Sequence, residues 1–340
     1  MINACLSSWD SVEKTLDCHV PGTRPVTWST ISLLGYGGEL ESKWLEVATL
    51  AFFVYTGSFL ISLAKLLTQY GGIKMQKFNI VVTGACGKVG KEMVKGILDT
   101  KDMKIAGAVD VSNIGLDIGE IVGCKSLGVT ITNDLPALIK DLSAKAQTIV
   151  VDFTFKDAAR INVPLALKNG AHVVMGTTGL TSDELTSFAD LAEKNNLGIF
   201  VAPNFSLGAV LMMKAARDIS RYMKQAEIIE YHNDKKVDSP SGTAIATAHG
   251  MKENASSCGC IGNEKENSAR GAEYDGIRIH SVRLKSLVAH QEVLFSGCGE
   301  LLTIRHDSFS RESFVPGVLM AIRKVTSWKG IRIGLETIMD

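Results

Sequence analysis

The sequence lacks an excess of charge of either sign. Lys plus Arg and Asp plus Glu both total 36, so the formal net charge of the 340 residues is zero. A chain without a net positive field has no overall electrostatic attraction for a polyanion. We therefore expect no nucleic-acid partner. The 46% of hydrophobic residues instead predict a packed globular protein.

Cysteine is scarce and lacks the spacing of a metal site. The seven cysteines are odd in number, and the nearest pair, Cys258 and Cys260, is separated by a single residue. That spacing is too short for a zinc knuckle, and disulfide frameworks use even numbers of cysteines. His290 and Glu292 alternate along a predicted strand, but two ligands do not make a metal site. We predict reduced thiols, a cytoplasmic location and no metal.

The N-terminal segment 1–74 lacks the features of a secretory signal or a transit peptide. No basic segment opens its apolar stretch, and positions 1–46 carry many acids and few arginines. The stretch 47–64 is nevertheless uncharged throughout, which just reaches the length of a membrane-spanning helix. Three interpretations stay open: a dispensable extension before Met75, an anchor that leaves the C-terminal part in the cytoplasm, and an interfacial helix. A membrane partner is expected only if the stretch is a genuine anchor.

From Phe78 onward, short apolar runs alternate with stretches of helical periodicity. This alternation is typical of a parallel sheet wrapped by crossover helices. Six strands are predicted at 78–83, 105–110, 129–132, 148–153, 172–175 and 198–202. Helices are predicted between several of them, at 88–98, 156–168 and 182–195. The sequence therefore predicts an α/β fold with a Rossmann-like dinucleotide-binding domain over residues 75–203.

After Pro203 the alternation ends. The pattern predicts a long helix at 207–224, a strand at 226–232, a short helix after Ser241 and then a polar loop. Three strand candidates follow with only short turns between them: IRIHSVRL, HQEVLFS and ELLTIRH. Short connections predict antiparallel pairing. We therefore predict an α+β substrate-binding and oligomerisation domain, with a largely antiparallel sheet, over residues 204–310.

The end of the chain is predicted to return to the first domain. A helical pattern lies near 314–325, and a strand candidate follows at 331–335. The dinucleotide-binding domain then also includes the residues from about 311 to 340.

A glycine-rich turn follows the first predicted strand. Residues 84–90 read GACGKVG, a GxxGxxG loop that opens a helix. Glycines let the backbone approach a pyrophosphate, and the helix N-terminus offers it free N–H groups and a positive dipole end. Asp110 closes the second predicted strand, where a carboxylate can accept hydrogen bonds from an adenosine ribose. This carboxylate favours NADH, but Lys88 can offset the charge of a 2′-phosphate, so NADPH stays open.

Two further turns lie at the carboxyl ends of predicted parallel strands. Residues 176–179 (GTTG) follow the fifth strand, and residues 202–206 (APNFS) follow the sixth. Open α/β sheets bind their ligands at this edge. Both turns are therefore candidates to contact a cofactor.

The segment Glu230–Thr243 brings three chemical groups together within a short stretch of chain. His232 ends a predicted strand and can donate a proton near neutral pH, which a reduced imine or enamine carbon requires after hydride arrives. Lys236 can hold charge or pass a proton. Ser-Gly-Thr at 241–243 begins a helix whose free N–H groups, dipole and threonine hydroxyl suit a carboxylate.

Together these motifs resemble the dihydrodipicolinate reductase family. The resemblance rests on the glycine loop, on Asp152–Thr154 (DFT), on GTTG and APNFS, and on the His-x3-Lys-x4-Ser-Gly-Thr spacing that begins at His232. It extends from about Phe78 to the end of the chain. From Ile279 onward the sequence is especially similar to cyanobacterial and actinobacterial members.

The resemblance implies an NAD(P)H-dependent reductase that converts 4-hydroxy-tetrahydrodipicolinate into tetrahydrodipicolinate with loss of water, in lysine biosynthesis through diaminopimelate. It also implies a homotetramer. The catalytic residues that it implies are His232 and Lys236. The implied substrate-binding residues are Asn233, Ser241, Gly242, Thr243 and Thr178. The implied cofactor-binding residues are Gly84, Ala85, Cys86, Gly87, Lys88, Val89, Asp110, Gly176, Thr177, Thr178, Ala202, Pro203, Asn204 and Phe205.

The sequence departs from the family pattern in two places. Asn233 stands where many members carry a second histidine, and an asparagine cannot carry positive charge. We therefore expect a weaker substrate affinity with a flatter pH dependence. The extension 1–74 is the other departure. Two other functions stay open: a dinucleotide-binding redox sensor without turnover, and a reductase of the same fold that acts on another imine or keto acid.

Overall fold

The computed structural model describes residues 78–144, 146–254 and 267–339. The extension 1–74 with its apolar stretch 47–64, and the pair Cys258 and Cys260, lie outside the described residues. The expectations for these segments stay predictions. Within the described ranges, no helix has both the length and the apolar character needed to cross a membrane.

The first sheet has seven parallel strands. They are β1 (Phe78–Thr83), β2 (Met103–Val109), β3 (Ile131–Thr132), β4 (Thr148–Asp152), β5 (His172–Met175), β6 (Gly198–Val201) and β12 (Gly330–Ile333). Their order across the sheet is β12-β6-β5-β4-β1-β2-β3, and every neighbouring pair is parallel. Apart from β12 at the edge, this is the strand order of a doubly wound dinucleotide-binding sheet.

Both faces of this sheet are covered by helices. The helices of this part of the chain are α1 (Lys88–Leu98), α2 (Ile118–Ile121), α3 (Leu135–Ser143), α4 (Lys156–Lys168), α5 (Ser182–Lys194) and α8 (Val315–Lys324). Within β1, Ile80 and Val82 belong to the apolar cluster with α1 and α8, whereas Val81 belongs to the cluster with α3, α4 and α5. All three side chains are fully buried. Burial on both faces explains why these strands appear in the sequence as continuous apolar runs.

The second sheet has five strands and is mixed. They are β7 (Gln225–His232), β8 (Ala272–Tyr274), β9 (Ile277–Arg283), β10 (Ala289–Gly297) and β11 (Glu300–Ser308), in the order β11-β10-β7-β9-β8. Three of the four pairs are antiparallel, but β7 and β9 are parallel. The helices α6 (Leu207–Ile219) and α7 (Gly242–Asn254) pack on one face through Ala216, Ala244, Ala248 and Met251.

The predicted fold class is confirmed, with a correction to the second sheet. The expectation that strands adjacent in the sequence would pair with each other is wrong for β9 and β10, because β7 lies between them. The chain leaves the end of β7, passes through α7 and starts β9 in the same direction, which is the crossover that a parallel pair requires. Long connections of this kind are set by tertiary packing of α7 and not by the strand pattern.

Several element bounds also differ from the sequence prediction, among them those of α6 and β3. The helix predicted at 207–224 ends at Ile219, because the Ser220 hydroxyl donates to the carbonyl oxygen of Arg217 at 2.8 Å and the chain then turns into β7. The strand predicted at 129–132 is shortened to β3, which pairs with β2 only through Ile131 and Thr132.

The end of the chain returns to the first sheet, as the sequence predicts. Strand β12 pairs with β6 in parallel, and α8 contributes Val318, Ala321 and Ile322 to the core beside β1. The indole Nε1 of Trp328 donates to the carbonyl oxygen of Ile199 at 3.2 Å. These contacts fix the C-terminal segment against β6.

Candidate active site

The glycine loop between β1 and α1 leaves no room for a side chain at Gly84 or Gly90. Gly84 has a φ of +72°, and a Cβ there would lie 2.7 Å from the carbonyl oxygen of Phe153. A Cβ at Gly90 would lie 2.0 Å from the carbonyl oxygen of Gly84. Helix α1 has no side-chain cap, so its first-turn N–H groups and its dipole are directed at whatever approaches the loop. This geometry fits a dinucleotide phosphate.

Asp110 lies beside this loop, directly after β2. Its carboxylate accepts hydrogen bonds from the Cys86 N–H at 2.9 Å and from the Ser112 N–H and hydroxyl at 3.0 and 2.8 Å. Burial raises the pKa of Asp110, but these hydrogen bonds outweigh it and bring the pKa below its ordinary value. The group is therefore ionised at neutral pH. A contact from Asp110 to a ribose stays a prediction.

A buried carboxylate that the sequence analysis did not assign to the site joins three strand ends of the first sheet. Asp152 is fully buried and accepts hydrogen bonds from the hydroxyls of Thr83 at 2.7 Å, Thr154 at 2.9 Å and Thr177 at 2.6 Å. The hydroxyl of Thr177 is thus used inside the protein. A contact from Thr177 to a cofactor stays a prediction. The sequence offered one signal for this role, because Asp152 is an acidic residue that ends an apolar strand and lies near threonines.

The turn after β6 divides its residues between core and cleft. Ala202 and Phe205 are 1% and 2% exposed, and the Phe205 ring packs against Phe153 with centroids 5.7 Å apart. Their side chains therefore pack in the core and hold the turn in place. Pro203 and Asn204 line the cleft, and the Asn204 amide nitrogen lies 3.4 Å from the Thr243 hydroxyl oxygen. This contact joins the turn after β6 to the start of α7.

His232 is the last residue of β7, and one nitrogen of its ring contacts Glu230. The Nδ1 atom lies 2.5 Å from Oε2 of Glu230, and the side chain is 16% exposed. Glu230 is fully buried. Burial raises the pKa of Glu230, but hydrogen bonds from His232 and Arg283 outweigh it and hold the pKa at about 2. With Nδ1 engaged, Nε2 is the ring nitrogen left for a ligand in the cleft.

The loop after His232 positions Lys236 and Asn233 differently. Lys236 lines the cleft and forms an ion pair of 2.8 Å with Asp238, and this hydrogen bond lowers the pKa of Asp238. Both the nitrogen and the oxygen of the Asn233 side-chain amide form hydrogen bonds within the protein. The amide donates to the carbonyl oxygen of Lys285 at 2.6 Å and accepts from the N–H of Lys235 at 3.1 Å. A contact from Asn233 to substrate stays a prediction.

The start of α7 is capped by Ser241 and is open at Gly242. The Ser241 hydroxyl accepts from the Ala244 N–H at 3.2 Å and so caps the helix. Gly242 is exposed, and a Cβ there would meet no atom within 4 Å. The space beside Gly242 at the positive end of helix α7 is therefore open.

These groups meet in one cleft of about 680 Å³. Its first-sheet wall contains Thr178, Pro203 and Asn204. Its second-sheet wall contains His232, Lys236, Ser241, Gly242 and Thr243. The glycine loop and Asp110 do not line this cleft, but Lys88 and His232 share an adjacent cavity of about 810 Å³ with Asn233. A cleft with convergent polar groups at the carboxyl edge of an α/β sheet is a typical ligand site.

The described residues contain no group of three or more His, Cys, Asp or Glu side chains that could hold a metal ion.

Two protein-family models match nearly all of the described chain. The model for the N-terminus of dihydrodipicolinate reductase matches residues 78–205, and the model for its C-terminus matches residues 208–339. The chain belongs to the dihydrodipicolinate reductase family. The family expected from the sequence motifs is therefore confirmed, and the matched segments contain every residue predicted for the site.

Curated relatives and a solved structure agree with this assignment. The 4-hydroxy-tetrahydrodipicolinate reductase of Moorella thermoacetica is 48% identical over 263 residues, covering 77% of this chain and 97% of that protein. The reductase of the same name from Carboxydothermus hydrogenoformans is 45% identical, covering 76% and 98%. The structure of dipicolinate-bound dihydrodipicolinate reductase from Paenisporosarcina sp. TG-14 is 42% identical with a TM-score of 0.67, covering 77% and 99%.

A more distant solved structure shares the fold alone. The amine dehydrogenase of Mycobacterium smegmatis is 12% identical, with a TM-score of 0.53, and covers 75% of this chain and 94% of that one. Function is therefore argued from the site and the family and not from this likeness.

Proposed function

We propose that this chain reduces 4-hydroxy-tetrahydrodipicolinate to tetrahydrodipicolinate, with loss of water, in lysine biosynthesis through diaminopimelate. The observation that carries the proposal is the single cleft in which His232 and the start of α7 face the carboxyl edge of the dinucleotide-binding sheet. A bound nicotinamide cofactor supplies the hydride. The redox-sensor alternative is not favoured, because a sensor has no need of a proton donor and an anion site in the same cleft.

The residues of the first sheet fit a dinucleotide. The glycine loop would hold its phosphates, since Gly84 and Gly90 have backbone where a side chain would clash. Asp110 would accept from the ribose, and Pro203 and Asn204 line the cleft toward the second sheet. We propose that NADH and NADPH are both used, because the negative charge of Asp110 and the positive charge of Lys88 act in opposite directions on a 2′-phosphate.

The residues of the second sheet supply the proton and bind the dicarboxylate. Loss of the 4-hydroxyl as water leaves a conjugated imine, and hydride then adds at carbon 4. The imidazolium form of His232 donates its Nε2 proton to the neighbouring ring carbon of the resulting enamine. The N–H groups of Gly242 and Thr243 bind one carboxylate, and Lys236 neutralises charge on the other side of the substrate. A relative of this chain was solved with dipicolinate bound, which supports a cyclic dicarboxylate as the ligand of this cleft.

Replacing Gly242 by alanine tests the anion site. A methyl group at this position meets no atom within 4 Å, so the fold is kept while the methyl group enters the space of the carboxylate. We expect KM for the substrate to rise by roughly tenfold or more with a small change in kcat, as for loss of a ground-state contact. Steady-state kinetics at saturating NADPH measure this.

The matched control for this test is Gly250→Ala in the same helix. A methyl group there also meets no atom within 4 Å, but the residue lies about two turns from the helix start. The control should leave KM unchanged. Equal kinetic effects of both alanines would argue against a carboxylate at the start of α7.

Replacing Asn233 by histidine tests the consequence of the departure from the family pattern. A protonated histidine adds a positive charge beside the cleft at about pH 6 and loses it by about pH 8. We expect KM to fall several-fold at the lower pH only. Asn233→Gln, which adds no charge, should not reproduce this. A KM of Asn233→His that equals the wild-type value across the whole range would overturn the expectation.

The second sheet offers a face for assembly into a homotetramer, which we propose as the working form. Helices α6 and α7 cover one face. On the other face, the register places Ile229 beside Glu292, which in turn lies beside Arg305. Arg305 lies 3.1 Å from Glu292 and 3.0 Å from Asp307. Such a half-buried mixture of apolar side chains and paired charges is compatible with an isologous interface.

An arginine at Leu294 on this face tests the assembly. We expect light scattering behind size exclusion to show a tetramer for the wild type and smaller species for Leu294→Arg, because an unpaired charge would be buried. Ile161→Arg on the exposed side of α4 is the control, since Ile161 is 62% exposed on the first domain. A monomeric wild-type chain would contradict the proposal. The cytoplasmic location is part of the same proposal.

A further inference from the structure

We propose that Glu230 is the positioning residue of the proposed reaction: with Arg283 as its partner, it fixes the orientation and tautomer of His232 and ties the proton donor to the start of α7. The proposal rests on the proposed function, in which His232 donates the proton. Neither Glu230 nor Arg283 was given a role from the sequence. Both belong to the second sheet, on the adjacent strands β7 and β9.

Glu230 and His232 form a pair on one face of β7. Residues two apart on a strand project from the same face, so Glu230 and His232 lie side by side. Glu230 is fully buried, and its Oε2 lies 2.5 Å from His232 Nδ1. An ionised carboxylate can only accept hydrogen bonds. Nδ1 therefore carries a hydrogen in the neutral and in the protonated ring alike. Nε2 is presented to the cleft and carries the transferable proton in the imidazolium form.

The contacts of Glu230 keep its carboxylate ionised. Arg283 donates to both of its oxygens, from Nη1 to Oε2 at 2.9 Å and from Nη2 to Oε1 at 2.7 Å. Such a two-pronged contact is the strongest pairing available to a carboxylate. A buried carboxylate without it would take up a proton and donate, which would reverse the tautomer of His232.

The carboxylate of Glu230 also contacts the residue that caps α7. The Ser241 N–H donates to Glu230 Oε1 at 3.2 Å, and Ser241 caps α7. Arg283 Nη2 also donates to the carbonyl oxygen of Asp238 at 2.9 Å. The side chain of Asp238 pairs with Lys236. One buried pair thus sets the spacing between the proton donor, the lysine loop and the helix that would bind the substrate carboxylate.

A merely structural ion pair would look similar, and this sheet provides one for comparison. Glu292 lies on β10 and on the opposite face, where it accepts from the Tyr231 hydroxyl at 2.6 Å and from Arg305 at 3.1 Å. Its side chain is 14% exposed. Glu292 is thus a partly buried carboxylate with an arginine partner, and it lies on the face away from His232. Glu292→Gln is therefore a matched control for Glu230→Gln.

The test measures the tautomer of His232 in the full-length chain without substrate, by nitrogen-15 NMR of histidine-labelled protein. The resonances of His232 are assigned by their loss in His232→Gln. At a pH at which the ring is neutral, we expect the Nδ1-protonated tautomer in the wild type and in Glu292→Gln, and a mixture or reversal in Glu230→Gln, because a glutamine can also donate. Wild-type His232 with its hydrogen on Nε2 would overturn the proposal even if Glu230→Gln does not fold.

Kinetics add a second readout. Because a misoriented donor affects the chemical step more than binding, we expect Glu230→Gln to lower kcat by about 10- to 100-fold with less than about a threefold change in KM. Glu292→Gln should leave both near the wild-type values. Unchanged kcat in a folded Glu230→Gln would overturn the proposal. Absence of turnover in the wild type would instead reject the proposed function, while the tautomer measurement would still stand.

Discussion

Replacing His232 by glutamine is expected to lower kcat by about 10² to 10⁴-fold, the usual contribution of a positioned general acid. Glutamine can still donate a hydrogen bond to the buried Glu230, which lies 2.5 Å from the ring in the wild type. The variant therefore removes the proton donor without leaving a buried charge unpaired. Initial rates of NADPH oxidation, with binding of NADPH measured separately by fluorescence, check the result.

The control for this variant is His249→Gln. His249 lines the same cleft, and its side chain is 64% exposed. Its substitution should change kcat by less than about twofold, as for a surface site. If His249→Gln and His232→Gln lost activity to the same extent, the assignment of His232 as the proton donor would be wrong.

Replacing Gly90 by alanine is expected to abolish dinucleotide binding, raising the Kd for NADPH by roughly 100-fold or more. The added methyl carbon would lie 2.0 Å from the carbonyl oxygen of Gly84 and 2.9 Å from Cα of Ala85. Both are backbone atoms, so the loop must move away from α1. The N–H groups that would bind the phosphates then lose their common direction. Overpacking at this buried site should also lower the free energy of unfolding by about 1 to 3 kcal/mol.

Fluorescence titration with NADPH and thermal unfolding measure the two effects of Gly90→Ala. Gly250→Ala again serves as the control, since its methyl group meets no atom within 4 Å. A folded Gly90→Ala that binds NADPH with the wild-type affinity would show that the glycine loop does not hold the dinucleotide.

Local sequence patterns predict the first sheet well because its strands and helices alternate along the chain. The bounds of β1, α1, α4 and β5 are those that the apolar periodicity predicts, since each element is buried by its immediate neighbours. The position of β7 between β10 and β9 was not predictable in this way. Strand order depends on how α7 packs, and a strand pattern contains no information about its partner.

The same limit applies to the site. His232, Lys236 and the start of α7 were predicted because they lie within one short segment of the sequence. Arg283 lies on a distant part of the chain and comes beside His232 only through the parallel register of β7 and β9. Glu230 had a local signal, because it shares a strand face with His232. Nothing local indicated that its charge would be fully buried and paired.

The most direct test of the central claim follows the transferred hydride. The full-length chain is supplied with enzymatically generated 4-hydroxy-tetrahydrodipicolinate and with NADH or NADPH deuterated at the transferring position of the nicotinamide. We predict rapid cofactor oxidation and deuterium at carbon 4 of tetrahydrodipicolinate, and the relative rates would rank the two cofactors. A folded chain that binds the dinucleotide but oxidises neither cofactor with this substrate would contradict the account.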